Sequence, residues 1–132
     1  MGKKILLVDD DKELCATLTR VLTANGHAVT TAHSGAEARM KVVSVRPDLI
    51  ILDIIMETDT AGFELINMLR SDRPNAKYRE FKDVPIVVLS AIDRVTHSRF
   101  SLDDGESFLP GAVDFITKPV TPEQLLAKVD AH

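Results

Sequence analysis

Groups able to do chemistry stand at the ends of four apolar runs in this 132-residue chain. Lys4–Val8 runs into Asp9, Asp10 and Asp11, Leu49–Leu52 into Asp53, Pro85–Leu89 into Ser90, and Asp114–Thr117 into Lys118 and Pro119. In an open parallel sheet, ligands bind beyond the carboxyl ends of the strands, near a topological switch point. Carboxylates, a hydroxyl and an ammonium are therefore expected along one edge. Clustered carboxylates at a low-dielectric edge resist joint ionisation, and a divalent cation removes that conflict. Oxygen-only ligands favour a hard ion such as Mg²⁺, held by one or two carboxylates and by waters. Such an ion keeps positions open for phosphate oxygens. Asp53 then reads as a nucleophile toward phosphorus, Lys118 as a second positive charge, and Ser90 as a hydrogen-bond donor to a phosphoryl oxygen. Phosphoryl transfer needs little more than positioning and charge stabilisation.

The elements that must position these groups are legible from two alternating periodicities. The runs at Lys4–Val8, Leu49–Leu52 and Pro85–Leu89 are continuously apolar, as strands buried on both faces are. Ala28–Ala32 is a weaker strand and Asp114–Thr117 a short fifth one. Between them, Leu14, Leu18, Val21 and Leu22 have helical spacing, closed by Asn25-Gly26. Ser34-Gly-Ala-Glu37 is a capping box that opens a helix to about Arg46. Phe63, Leu65, Ile66 and Leu69 mark a third helix ending near Pro74. Thr121-Pro-Glu-Gln124 caps a last helix through Leu125, Leu126 and Val129. Five strand–helix alternations predict an α/β fold, a doubly wound parallel sheet with helices on both faces. The segments Asn75–Asp83 and Asp93–Gly111 do not fit this rhythm. The second occupies the place of a further helix, yet contains Asp103-Asp-Gly-Glu106 and Pro110.

Composition sets the remaining bounds. With 45% hydrophobic and 5% aromatic residues, the core should be mainly aliphatic. A net charge of -4 gives no electrostatic reason to expect nucleic-acid binding. The single cysteine, Cys15, excludes an intramolecular disulfide and reads as a small buried hydrophobe. No apolar run is long enough to span a bilayer, and no signal peptide is evident, so the expected location is cytoplasmic. His27, His33, His97 and His132 form no recognisable ligand pair, and Asp103–Glu106 lacks EF-hand spacing.

Lys4-Ile-Leu-Leu-Val-Asp-Asp-Asp11, Pro47-Asp-Leu-Ile-Ile-Leu-Asp53, Val87-Val-Leu-Ser-Ala91 and Gly111-Ala-Val-Asp-Phe-Ile-Thr-Lys-Pro119 resemble the CheY-like receiver domains of two-component response regulators. The resemblance covers essentially the whole chain. It implies a single receiver domain over residues 1–132, without an output domain, and a flavodoxin-like five-stranded sheet of order 2-1-3-4-5. It implies Asp53 as phosphoacceptor, Asp10 as a direct Mg²⁺ ligand, Asp9 acting mainly through water, and the Ile55 carbonyl as a third protein ligand. Ser90 resembles the hydroxyl that moves to meet the phosphoryl group. Phe115 resembles the aromatic switch that follows it. Lys118 resembles the lysine that pairs with acceptor or phosphate, before a usually cis proline. The implied partners are a sensor histidine kinase or phosphotransfer protein and an output domain or downstream protein, with no nucleic acid or membrane. The resemblance leaves room for a homodimer through the last sheet edge.

Departures from the family pattern matter too. Met56 is followed by Glu57 where the family usually has proline, and Ala61 precedes Gly62 where it has aspartate. Ile55 and Ile92 occupy positions that tune phosphoryl lifetime. Both are apolar and cannot position an attacking water, so slow self-dephosphorylation is expected. Two rival functions use similar parts. Phosphatases of the haloacid-dehalogenase type carry the nucleophile on the first strand in an Asp-x-Asp motif, whereas Asp53 is on the third and Asp53-Ile-Ile55 lacks the second acid. A receiver-like module that is never phosphorylated is usually marked by loss of an acid or the lysine, and here all are present.

Overall fold

A computed structural model describes residues 2–53, 61–71, 78–91 and 113–132. The apolar runs form strands β1 (Lys4–Val8), β2 (Ala28–Ala32), β3 (Leu49–Asp53), β4 (Ile86–Ala91) and β5 (Asp114–Lys118). They pair in parallel as one sheet of order β2-β1-β3-β4-β5. This is the expected order, and it puts the three most apolar strands in the middle.

Because successive side chains of a strand face opposite ways, each central strand feeds two cores. On one face Leu6, Val8, Ile50, Leu52, Ile86 and Val88 pack against helices α2 (Gly35–Val45) and α3 (Ala61–Leu69). On the other, Ile5, Leu7, Ile51, Val87 and Leu89 meet α1 (Lys12–Ala24) and the C-terminal helix (Pro122–Ala131). Cys15 is buried in the second cluster, as its composition-based reading required. Among the described residues, the buried hydrophobics other than Tyr78 and Phe81 are aliphatic or small.

The helix ends follow the sequence signals. Asp11 caps α1, its Oδ1 accepting from the Leu14 N–H at 3.0 Å. Asn25 ends that helix, and Gly26 reverses the chain with φ +90°, a conformation open to glycine at no steric cost. Ser34 Oγ accepts from the Glu37 N–H at 3.0 Å, while Glu37 Oε1 accepts from the His33 N–H at 2.7 Å. Thr121 Oγ1 accepts from the Gln124 N–H at 3.2 Å, with Pro122 in the first turn.

The C-terminal helix is tied to β5 by Asp114. Its Oδ1 accepts from Lys128 Nζ at 2.7 Å, and its Oδ2 lies 3.1 Å from His132 Nε2. Burial works against the Asp114 charge. The bonds from Lys128, His132 and the Phe115 N–H outweigh it and hold the carboxyl below its usual range. A depressed folded pKa means the contribution is present above the unfolded value and is lost as pH falls through the folded one. Asp114→Asn is expected to be less stable than the parent at pH 7. The difference should shrink on acidification below pH 4, followed by urea unfolding. Ile51→Ala, at a fully buried position of the central strand, is expected to cost about 2–5 kcal/mol in the same assay.

Candidate functional site

Three strands deliver the charges to one edge. Asp9 follows the last residue of β1, Asp53 ends β3 and Lys118 ends β5. Carboxylate oxygens of Asp9, Asp10 and Asp53 all lie within 4.8 Å of one another. Asp9 is fully buried and Asp53 is 6% exposed, while Asp10 faces solvent. Lys118 Nζ lies 3.2 Å from Asp9 Oδ2 and 3.5 Å from Asp53 Oδ2. The Asp11 N–H donates to Asp9 Oδ1 at 3.0 Å. Asp9 is thus held by both oxygens.

The electrostatics follow from this crowding. Burial disfavours the Lys118 ammonium, but Asp53 and then Asp9 outweigh that penalty and raise its pKa above the ordinary lysine value. Lys118 therefore stays charged at neutral pH. Three carboxylates against one ammonium leave two negative charges, the complement of one divalent cation. The donor set is oxygen alone, and one member, Asp10, opens to solvent. Both features fit a hard cation that keeps part of its water shell.

Other expected residues are placed less completely. Ser90 lies in β4 opposite Thr117 of β5, one position beyond the Leu89–Asp53 end of the β3 pairing. Phe115 lies opposite Val88 and packs half-buried against the α2–α3 core. The Lys118–Pro119 peptide bond is cis, as the resemblance implied. Ile55, Glu57, Ile92, His97 and the segment Asp93–Gly111 lie outside the described residues.

Two neighbours of the acidic cluster were not singled out as site residues by the sequence. Cys15 Sγ donates to the Asp9 carbonyl at 3.4 Å. Burial, then Asp9 and Asp11, push its thiol up to about 12, so it carries no nucleophilic thiolate at neutral pH. His33 Nδ1 lies 3.0 Å from the same carbonyl. The signal for His33 was the strand pairing, since Val8 opposes Ala32 and position 33 therefore follows beside position 9. Spacing along the chain cannot reveal it.

Comparison with known proteins agrees with this geometry. Residues 5–130 match the family model described as response regulator receiver domain. Response regulator MprA of Mycobacterium bovis is 38% identical over 131 residues, covering 99% of this chain and 50% of the relative. The chain spans about half the length of the curated relatives it matches. Among solved structures, chemotaxis response regulator CheY4 of Vibrio cholerae superposes with a TM-score of 0.78 at 30% identity, covering 99% of this chain and 98% of that one. A two-component response regulator from Clostridium difficile gives 0.74 at 32% identity, covering 98% and 94%.

Removing the shared ammonium should expose the like-charge conflict. Lys118→Met, studied in EDTA at pH 7.5, is expected to lose up to about 3 kcal/mol of unfolding free energy, the cost of leaving buried charge unpaired. Adding Asp53→Asn to that variant should restore part of the loss. Denaturant titration of the single and double variants reads both effects.

Proposed function

The chain belongs to the receiver domains of response regulators, and on that premise we propose that Asp53 accepts a phosphoryl group in a Mg²⁺-dependent reaction and thereby changes the surface offered to a partner. The observation that carries the reading is the cluster of Asp9, Asp10 and Asp53 around Lys118, with carboxylate oxygens within 4.8 Å and the ammonium at 3.2 and 3.5 Å. Asp10, Asp9 and Asp53 would hold the ion, with the Ile55 carbonyl as a further ligand. When bound, Mg²⁺ supplies charge neutralisation and polarisation of the phosphoryl oxygens.

The chain's own residues account for the remaining steps. Asp53 attacks phosphorus in line. Its new O–P bond forms as the donor's bond to phosphorus breaks, and the leaving group departs with the electron pair. Lys118, held protonated by its carboxylate neighbours, balances charge on Asp53 before transfer and on the phosphoryl oxygens during and after it. Ser90 then donates its hydroxyl to the aspartyl phosphate, and Phe115 follows it inward. A few charge-assisted bonds fall short of the roughly 5.5 kcal/mol needed to move a two-state balance from 1:99 to 99:1. Partner binding supplies the remainder by preferring the phosphorylated state.

The donor is a sensor histidine kinase or a phosphotransfer protein. The reader is an output domain or a separate protein, in keeping with relatives of about twice this length. Among the described residues no helix is long and apolar enough to cross a membrane.

Incubation with Mg²⁺ and acetyl phosphate should add one phosphoryl mass to the intact protein. The adduct should be absent in EDTA and in Asp53→Asn. If the wild type gains no adduct from acetyl phosphate and none from a competent kinase either, the unphosphorylated interaction module replaces this reading. With Ile55 and Ile92 both apolar, the isolated adduct should last minutes or longer after donor removal. A half-life of seconds contradicts that part.

A further inference from the structure

Asp9 is the most buried member of the acidic cluster, and its orientation depends on the peptide planes on either side of it. On the upstream side its N–H donates to the Ala32 carbonyl at 3.0 Å, continuing the β1–β2 ladder by one bond. The ladder then ends, because Ser34 turns out of the strand to cap α2. The downstream plane, shared by the Asp9 carbonyl and the Asp10 N–H, has no further strand pairing among the described residues. Two side chains take over: Cys15 Sγ at 3.4 Å and His33 Nδ1 at 3.0 Å. Thiols are weak donors, so His33 is the stronger of the two.

His33 is itself held. Its N–H donates to Glu37 Oε1 at 2.7 Å, Glu37 pairs with Lys41 at 3.0 Å, and Lys41 Nζ donates to the Thr31 carbonyl at 2.6 Å. These bonds anchor the backbone of His33 at the β2–α2 junction, and the ring itself is placed by its contact with the Asp9 carbonyl. A carbonyl can only accept, so the 3.0 Å contact requires the proton on Nδ1.

From this arrangement we infer that His33 is a positioning residue for the acidic cluster: through Nδ1 it fixes the Asp9–Asp10 peptide plane and with it the directions of both carboxylates. The inference rests on the receiver reading above, since positioning matters for cation binding and phosphoryl transfer. It touches neither the ion nor the phosphoryl group directly. Residues that orient metal ligands typically change affinity by about 10–100-fold when lost. The lower end is expected here, because Cys15 and the Ala32 carbonyl keep part of the support.

Three variants and two nuclear magnetic resonance readouts test it. In metal-free wild type, the imidazole ¹⁵N shifts at pH 8 should show His33 as the Nδ1–H tautomer; the Nε2–H tautomer overturns the inference. Backbone-amide titration with Mg²⁺ alone should give His33→Ala about 10-fold weaker affinity, although its spectrum remains that of a folded domain. His33→Asn, whose side-chain amide can stand near the Nδ1 position, should recover most of it, and Cys15→Ala should lose less than His33→Ala. Wild-type affinity in His33→Ala, or equal losses in Ala and Asn, overturns the positioning role while leaving the receiver reading intact. No Mg²⁺ binding by the wild type overturns both.

Discussion

The contact of Lys118 with Asp9 and Asp53 is the constraint on which the rest of this structure turns. Two nearly buried carboxylates at one sheet edge are mutually repulsive, and burial multiplies the effect. One ammonium between them, 3.2 and 3.5 Å away, makes the arrangement tolerable without making it neutral. The sheet must therefore bring the ends of β1, β3 and β5 to a common place, and must do so rigidly. The order β2-β1-β3-β4-β5 does this with parallel strands whose carboxyl ends all face the same edge. The double core, with helices on each face, gives those strand ends their stiffness.

Much of this was legible in the sequence for a simple physical reason. A strand buried on both faces must be apolar throughout, so its end is marked by the first charge. Lys4–Val8 before Asp9 and Leu49–Leu52 before Asp53 are such boundaries, and the structure has strands there. Caps at Ser34 and Thr121 were readable because their donors lie three residues away. The third helix begins at Ala61, slightly ahead of the apolar residues that announced it, because a helix's first turn need not face the core.

What was not legible depends on pairing between strands. His33 reaches Asp9 only because β2 lies beside β1 in one particular register. The Asp114 clasp likewise needs β5 and the C-terminal helix brought together, with Lys128 and His132 on one side of that helix. The same dependence separates the two kinds of residue at the edge. Asp9, Asp53 and Lys118 announce themselves by type at strand ends, whereas the groups that aim them do so by backbone contacts that any sequence pattern hides.

The proposed mechanism depends above all on Asp53 being the group that takes the phosphoryl. The most direct measurement is to phosphorylate the protein with a competent histidine kinase or acetyl phosphate in Mg²⁺, reduce the acyl phosphate with borohydride, and map the labelled peptide. Conversion is expected at Asp53 alone, giving homoserine there and unmodified Asp9 and Asp10. Label at another carboxylate, or at a histidine stable to the reduction, would contradict it.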